Sequence, residues 1–295
     1  MKRVAIITGI TSFLGKELAK YLISKKFLVF GITRPNSNRK SQLSEIKGLN
    51  VIELDFERIE YKNIDDYPNT DGKKFIEDII SKKCDITFIH FAWDGTTDRE
   101  NFARQMLNID DSMKVLSLAK LLKAKRFIFA GSQAEMSESA YGLAKKQFSD
   151  VASSYLKNDS MKFIHLRIFS IYGENDRENS LVKQLVKCFK EKKDIELSSC
   201  NYYWNFLHVD DFVLIIYKLI IKNAKTGVYD IASDEDRLLK DYCEIAKRAY
   251  NSDIKLLFGA RANKKEKFAM PNIDSTIKVV GKIKFIPFME GVLKV

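Results

Sequence analysis

The chain has 295 residues, 45% of them hydrophobic and 30% charged, with a formal charge of +11. This composition excludes a disordered polymer, and no apolar run has the length that crosses a bilayer, so a globular protein with no membrane partner is expected. The basic surplus is mostly lysine scattered over amphipathic segments, as at Lys16, Lys20, Lys25 and Lys26. Without an arginine-rich, aromatic-interleaved stripe it argues against a nucleic-acid partner and predicts a solvated cationic surface that steers an anionic small molecule.

The chain opens on a short apolar run, Arg3–Thr8, that ends at Thr8-Gly9 and not at a cleavage site, so it reads as a first strand and not as a signal peptide. Further strand-like runs follow at Phe27–Ile32, Val51–Leu54, Ile86–Phe91, Arg126–Ala130 and Lys162–Arg167. Between them lie segments with apolar spacings of three and four, such as Phe13, Leu14, Leu18, Tyr21 and Leu22. Alternation of this kind predicts βαβ units, and nearly continuous apolar strands predict a parallel sheet covered on both faces. The expected fold is α/β, a Rossmann-type doubly wound parallel sheet with a smaller C-terminal α/β substrate domain. After about Gly173 the pattern loosens into a helix at Ser180–Lys192, a strand near Ile195–Leu197, a helix from near Asp210 and a strand at Val228–Ile231. A helix at Leu238–Tyr250, a strand at Ile254–Phe258 and a terminal helix complete the reading. The expected division is 1–173 for the dinucleotide domain, with 205–232 returning to it, and 174–204 with 233–295 for the substrate domain.

Thr8-Gly9-Ile10-Thr11-Ser12-Phe13-Leu14-Gly15 stands between a strand and a helix. There Gly9 permits a tight turn, Gly15 lets helix pack on strand, and the helix N-terminus offers free N–H groups to a pyrophosphate. Ser12 replaces a middle glycine but keeps its N–H. The second strand ends in Thr33-Arg34 with no carboxylate to repel a 2′-phosphate, and Arg34 and Arg39 are placed to bind one. The expected cofactor is NADP(H), with NAD(H) as the alternative. Asp55, after the third strand, is a candidate for adenine or its ribose, or equally a solvated turn residue.

Tyr141 and Lys145 are four apart and share a helix face. Lowering a tyrosine from about 10 by three units takes roughly 4 kcal/mol, which a close ammonium, a nicotinamide cation and low solvent access together supply. Tyr141 then exchanges the proton of a carbinol while hydride moves, and Ser132, at the end of the fifth strand, hydrogen-bonds the same oxygen. His90, His165 and His208 lack metal-ligand spacing, as do Cys84, Cys188, Cys200 and Cys243, so no metal is expected. The histidines read as packed structural residues, His90 near the cofactor, and the cysteines as reduced thiols of a cytoplasmic protein. Trp93 and Asp94 follow the fourth strand, where open α/β sheets bind ligands.

Together with Ile89-His90-Phe91-Ala92-Trp93, Asn108, Gly131–Glu135, Leu166–Gly173 and Asn205–Asp211, these motifs resemble the extended short-chain dehydrogenase/reductases of the NAD-dependent epimerase/dehydratase kind. That resemblance implies a nucleotide-sugar substrate and a homodimer formed through two helices of each subunit. It also implies a dinucleotide lying along Gly9, Thr11, Ser12, Phe13, Leu14 and Gly15, then Arg34, Asn38, Asp55 and Phe56. Phe91, Ala92, Trp93, Asn108, Tyr141, Lys145 and Ile168 complete the cofactor set. Substrate contacts are assigned to Trp93, Asp94, Gln133, Glu135, Trp204, Asn205, Arg261 and Lys264. In the dehydratase branch an aspartate and a glutamate follow the catalytic hydroxyl residue; Gln133 and Ala134 stand there instead, and Glu135 is one position too far unless the loop shifts. Trp204-Asn205 replaces the family's usual Arg-Asp, which passes diphosphate binding to Arg261 or Lys264 and leaves Trp204 to stack on a base or sugar. The expected reaction is NADP(H)-dependent reduction of the 4-keto group of a nucleotide-activated 6-deoxy sugar. A nucleotide-sugar 4-epimerase that retains NAD is the alternative, and a non-catalytic dinucleotide sensor is the rival from another class.

Overall fold

The computed structural model describes residues 2–56, 79, 84–263 and 270–295. Seven strands form one sheet: β1 (Lys2–Thr8), β2 (Leu28–Thr33), β3 (Leu49–Glu53), β4 (Cys84–His90), β5 (Arg126–Ala130), β6 (Lys162–Ile168) and β10 (Gly227–Ile231). Their order is β10-β6-β5-β4-β1-β2-β3. β1 pairs in parallel with both β2 and β4, with Thr8 opposite Ile32 on one side and His90 on the other. The sheet therefore reverses its winding at β1, the point where open α/β sheets gather ligands at their carboxyl ends. The strands lack alternation because both faces are covered: Val4 to Ile7 and the whole of β5 are buried.

Helices α1 (Phe13–Ser24), α2 (Phe102–Leu121) and α3 (Ala140–Tyr155) connect these strands. Each starts on a side-chain cap, Ser12 Oγ accepting Gly15 N–H, Asn101 Oδ1 accepting Arg104 N–H and Ser139 Oγ accepting Gly142 N–H. The buried faces of α2 and α3 close a core with Phe88, Phe127, Phe129 and Phe163, to which α3 gives Phe148.

The chain divides into two compact units, 1–167 with 223–229, and 168–222 with 230–295. The sequence reading returned all of 205–232 to the first unit. Here β9 (Tyr203–His208) and α5 (Val209–Ile221) group with the second, because β9 lies between β7 (Ser170–Tyr172) and β11 (Asp236–Leu238) in a three-stranded sheet. The second unit also holds α4 (Leu181–Glu191), α6 (Leu239–Ala249), α7 (Asp274–Val280), α8 (Phe288–Gly291) and the small sheet of β8 (Ile195–Glu196) with β12 (Leu256–Leu257). Its own core joins Tyr172, Phe189, Phe206, Tyr242 and Phe288. The expected terminal helix is a single turn followed by a 3₁₀ turn, and the expected strand at Ile254–Phe258 shrinks to two residues.

Candidate active site

The turn after β1 leaves no room for side chains. Gly9 has φ +67°, and a Cβ there would lie 2.7 Å from Ala92 N and Phe91 C. A Cβ on Gly15 would strike the Gly9 carbonyl. Both glycines therefore let β1, β4 and α1 converge. Ser12 N–H donates to Gly9 O at 2.9 Å, and the first turn of α1 carries no acidic side chain, so its positive end stays available to an anion. Thr11, Ser12, Phe13 and Leu14 are half-buried around that end. At the end of β2, Thr33 is buried while Arg34, Asn38 and Arg39 are exposed. Asp55 and Phe56 follow β3, with Phe56 packed on the core of the first unit. The turn geometry, the uncompensated helix end and the two arginines fit a nicotinamide dinucleotide with its pyrophosphate on α1.

The candidate proton-transfer residues sit at the end of β5 and the start of α3. Ser132 caps the 3₁₀ turn Gln133–Met136, its Oγ accepting Ala134 N–H at 3.1 Å. Tyr141 and Lys145 lie on the buried face of α3. Gly142 is the contact that brings α3 against the Ser132 turn, since a Cβ there would collide with Ala134 O. Lys145 Nζ donates to Ala130 O at 2.6 Å. It is caged by aromatic rings, 4.0 Å from the centroid of Trp93, 4.9 Å from Phe129 and 5.6 Å from Tyr141. Burial pushes the Lys145 ammonium down from 10.5 to about 7, and the Glu135 charge acts in the opposite direction.

His90 faces the same cage. Its Nδ1 is 2.7 Å from Thr8 Oγ1 and its Nε2 is 2.9 Å from Ser112 Oγ, whose own proton goes to Asn108 O at 2.6 Å. Ser112 Oγ therefore accepts from Nε2–H, and Nδ1 accepts from the Thr8 hydroxyl. Burial, then the neighbouring Lys145 charge, lowers His90 to about 3, so the ring is neutral. It braces β1, β4 and α2 and moves no proton at neutral pH.

The loop after β4 is organised by Gln105, which the sequence reading passed over, and by Asn108, which it assigned to the cofactor. Gln105, fully buried on α2, accepts from Trp93 Nε1 at 2.8 Å and donates to the carbonyls of Gly95 and Asp98. Asn108 accepts Asp94 N–H and donates to Asp94 O and Arg104 O, so its amide holds the loop. Gln105, Asn108 and Ser112 stand at i, i+3 and i+7, a polar stripe on a buried helix face, which is the sequence signal that would have found Gln105 and Ser112 beside Asn108. Arg99 also went unread. Its carbonyl accepts Tyr141 N–H at 2.9 Å and its guanidinium lies 5.2 Å from the Tyr141 ring centroid.

The structure brings Gly9–Gly15, Phe91–Trp93, Asn108, Ser132, Tyr141 and Lys145 to the carboxyl ends of β1, β4 and β5. Asp94 is exposed there and pairs with Arg104 at 3.2 Å. Gln133 is half-buried in the Ser132 turn. Glu135 does not extend outward as a substrate contact: it is buried, with Oε1 on Ser132 N–H at 2.7 Å and on His165 Nε2 at 3.0 Å. No loop shift brings its carboxylate to the dehydratase position.

In the second unit, Ile168 ends β6 and is buried. Trp204 packs between Tyr202 and Phe206 on β9. The Asn205 amide is turned inward, donating to Ser233 O and Asp236 Oδ1 and accepting Ser233 N–H, so it ties β9 to 233–236. Arg261 is exposed near Glu196, at 3.9 Å. Lys264 lies outside the described residues.

A model of the NAD dependent epimerase/dehydratase family matches residues 5–232. A CDP-abequose synthase of Salmonella muenchen is 27% identical over 268 residues, covering 87% of this chain and 84% of its own. Among solved structures, a UDP-N-acetylglucosamine 4-epimerase from Methanobrevibacter ruminantium aligns with a TM-score of 0.80 at 18% identity, covering 100% of this chain and 97% of its own. A UDP-glucuronic acid 4-epimerase from Bacillus cereus, solved with UDP-glucuronic acid and NAD, aligns at 0.74 and 17% identity, covering 99% and 97%. At such identities these likenesses carry the fold. With the family match over the residues that hold the glycine turn and the Ser132–Tyr141–Lys145 set, they make this chain a member of the NAD dependent epimerase/dehydratase family, an enzyme of the extended short-chain dehydrogenase/reductase type.

Proposed function

We propose that the protein reduces the 4-keto group of a nucleotide-activated 6-deoxy sugar with NADP(H). The observation that carries this reading is the Ser132 turn. Ala134 is buried with its N–H on Ser132 Oγ, and Glu135 is committed to Ser132 N–H and His165. Elimination needs an acid and a base beside the substrate, and neither side chain is available for it. Proton transfer coupled to hydride transfer needs only the groups that remain.

A reduced nicotinamide held along the Gly9–Gly15 turn would supply hydride to the carbonyl carbon. Ser132 Oγ–H donates to the carbonyl oxygen and orients it. Tyr141 Oη gives that oxygen its proton as negative charge develops. Lys145, four residues along the same face, stabilises the phenolate left behind. Arg34 and Arg39, with no carboxylate at the end of β2, support a 2′-phosphate and hence NADP(H) over NAD(H). The CDP-abequose synthase named above supports a nucleotide-linked sugar. A cytoplasmic location remains our reading; among the described residues no helix is long and apolar enough to cross a membrane. We infer a homodimer through α2 and α3, supported by Leu107 at 67%, Leu143 at 47% and Tyr155 at 49% exposure.

The test is absorbance at the reduced-nicotinamide band with NADPH and a nucleotide-linked 4-keto-6-deoxy sugar. Stoichiometric NADPH loss with formation of the 4-hydroxy sugar is expected. Interconversion of two 4-hydroxy epimers on retained NAD⁺, with no net change in the band, would replace the reductase by the epimerase.

A further inference from the structure

Behind Ser132 lies a buried acid–base pair that the proposed reaction does not use. Glu135 is 8% exposed and His165 4%. Glu135 Oε1 accepts Ser132 N–H at 2.7 Å and His165 Nε2–H at 3.0 Å, while His165 Nδ1 lies 2.7 Å from Ser149 Oγ. The contacts join the 3₁₀ turn after β5, the strand β6 and the helix α3. Gly131 makes the space: a side chain there would run into both His165 Nε2 and Glu135 Oε1. Phe129 and Phe163 wall the imidazole with ring centroids at 5.6 and 6.4 Å, so the pair works in a low dielectric.

Lys145, hung on Ala130 O one residue before Gly131, feels the charge of Glu135. The other titratable groups around Lys145 are His90 on β4, neutral near 3, and Tyr141 on its own helix. Lys146, exposed on α3, also feels Glu135 but pairs with Asp150. Among these groups, the carboxylate that favours the Lys145 ammonium against its burial is Glu135.

We propose that Glu135, clamped by His165, is the positioning residue of this centre: it fixes Ser132 through the backbone and supplies the buried negative charge that balances Lys145. The inference rests on Ser132, Tyr141 and Lys145 being the proton-transfer set.

Two variants of the full chain separate the two roles. Glu135→Gln keeps the shape and an acceptor for Ser132 N–H but removes the charge. Glu135→Asp keeps the charge and withdraws it from Ser132 N–H. The readout is the pH titration of the Lys145 ¹³Cε resonance without cofactor, assigned by its loss in Lys145→Met, beside turnover from pH 6 to 9. Glu135→Gln is expected to lower the Lys145 midpoint by about one pH unit. Its turnover is then about half of wild type at pH 6 and about a tenth of wild type at pH 8. Glu135→Asp is expected to leave the midpoint in place and lower turnover equally at all pH values. If neither variant moves the midpoint or turnover while Tyr141→Phe is inactive, the inference is overturned and the catalytic set stands. If Tyr141→Phe turns over normally, the catalytic set itself is wrong. Should Glu135→Gln not fold, Glu135→Asp decides alone: an equal loss of turnover at all pH values supports the inference, and unchanged turnover overturns it.

Discussion

Replacing Lys145 by methionine trades function for stability, and the trade has a pH signature. Lys145 is 3% exposed and its ammonium is pushed down from 10.5 to about 7. Between these values the unfolded chain holds a proton that the native protein has released, so native stability rises with pH across that window. Below about pH 7 both states are protonated and the native state bears the full cost of the buried charge. From pH 6 to pH 9 the Lys145 contribution improves by about two pH units' worth of free energy, roughly 2.7 kcal/mol. Methionine has a similar volume and no titration, so Lys145→Met lacks this slope. The Nζ–Ala130 O bond lost in the variant is a constant offset wherever the ammonium persists, and titrating groups that do not feel Lys145 cancel in the comparison. The stability of the variant relative to wild type is therefore expected to be greater at pH 6 than at pH 9, by about 2.7 kcal/mol. Urea unfolding of both proteins at the two pH values measures it. A difference that does not change with pH would refute the depressed ammonium and the cage that explains it.

Three further outcomes follow from the same geometry. Tyr141→Phe keeps the ring packed against Trp93, so the melting temperature should hold, while turnover falls by at least the roughly hundredfold of a lost general acid; near-normal turnover would remove Tyr141 from the chemistry. Arg34→Ala should weaken NADPH more than NADH, by roughly the 1.5–3 kcal/mol of a charged hydrogen bond, as read by fluorescence titration; equal losses would place the 2′-phosphate elsewhere. Arg99→Met removes the guanidinium 5.2 Å from the Tyr141 ring, which should raise the basic limb of the turnover–pH profile; an unmoved limb would make Arg99 a loop anchor alone.

The placement of Ser132, Tyr141 and Lys145 was legible because each residue is positioned by local rules. Ser132 ends an apolar strand, and Tyr141 and Lys145 share a face at i, i+4. The glycine turn was legible for the same reason, since Gly9 and Gly15 are demanded by a close approach within a few residues. Glu135 was misread because its partner His165 lies thirty positions away on β6 and arrives only through the β5–β6 pairing. Arg99 was missed because residues 94–101 carry no periodicity; they are held by Gln105 and Asn108 from α2. The second unit was harder still. β7, β9 and β11 are short, and β9 was read for its motif, so the inward turn of Asn205 toward Ser233 had no sequence signal.

The chemistry of the cage explains why its members are what they are. A buried ammonium is costly, and the aromatic faces of Trp93 and Phe129 return only part of that cost, about 2 kcal/mol for a desolvated cation over a ring. A second cation close by would raise the cost again. His90, hydrogen-bonded to Thr8 and Ser112, is held in the neutral form by burial and then by the Lys145 charge itself. Glu135 acts on Lys145 from the 3₁₀ turn after β5 that Ser132 caps. Lys145 thus sits at a balance point close to neutral pH, where a modest change in its surroundings converts ammonium to amine. A proton donor that must be regenerated each cycle gains from such a neighbour, because the phenolate left after proton transfer raises the affinity of Lys145 for its proton when the charge is needed. Substitutions that relieve the burial cost without replacing the charge will therefore stabilise the fold and slow the reaction together.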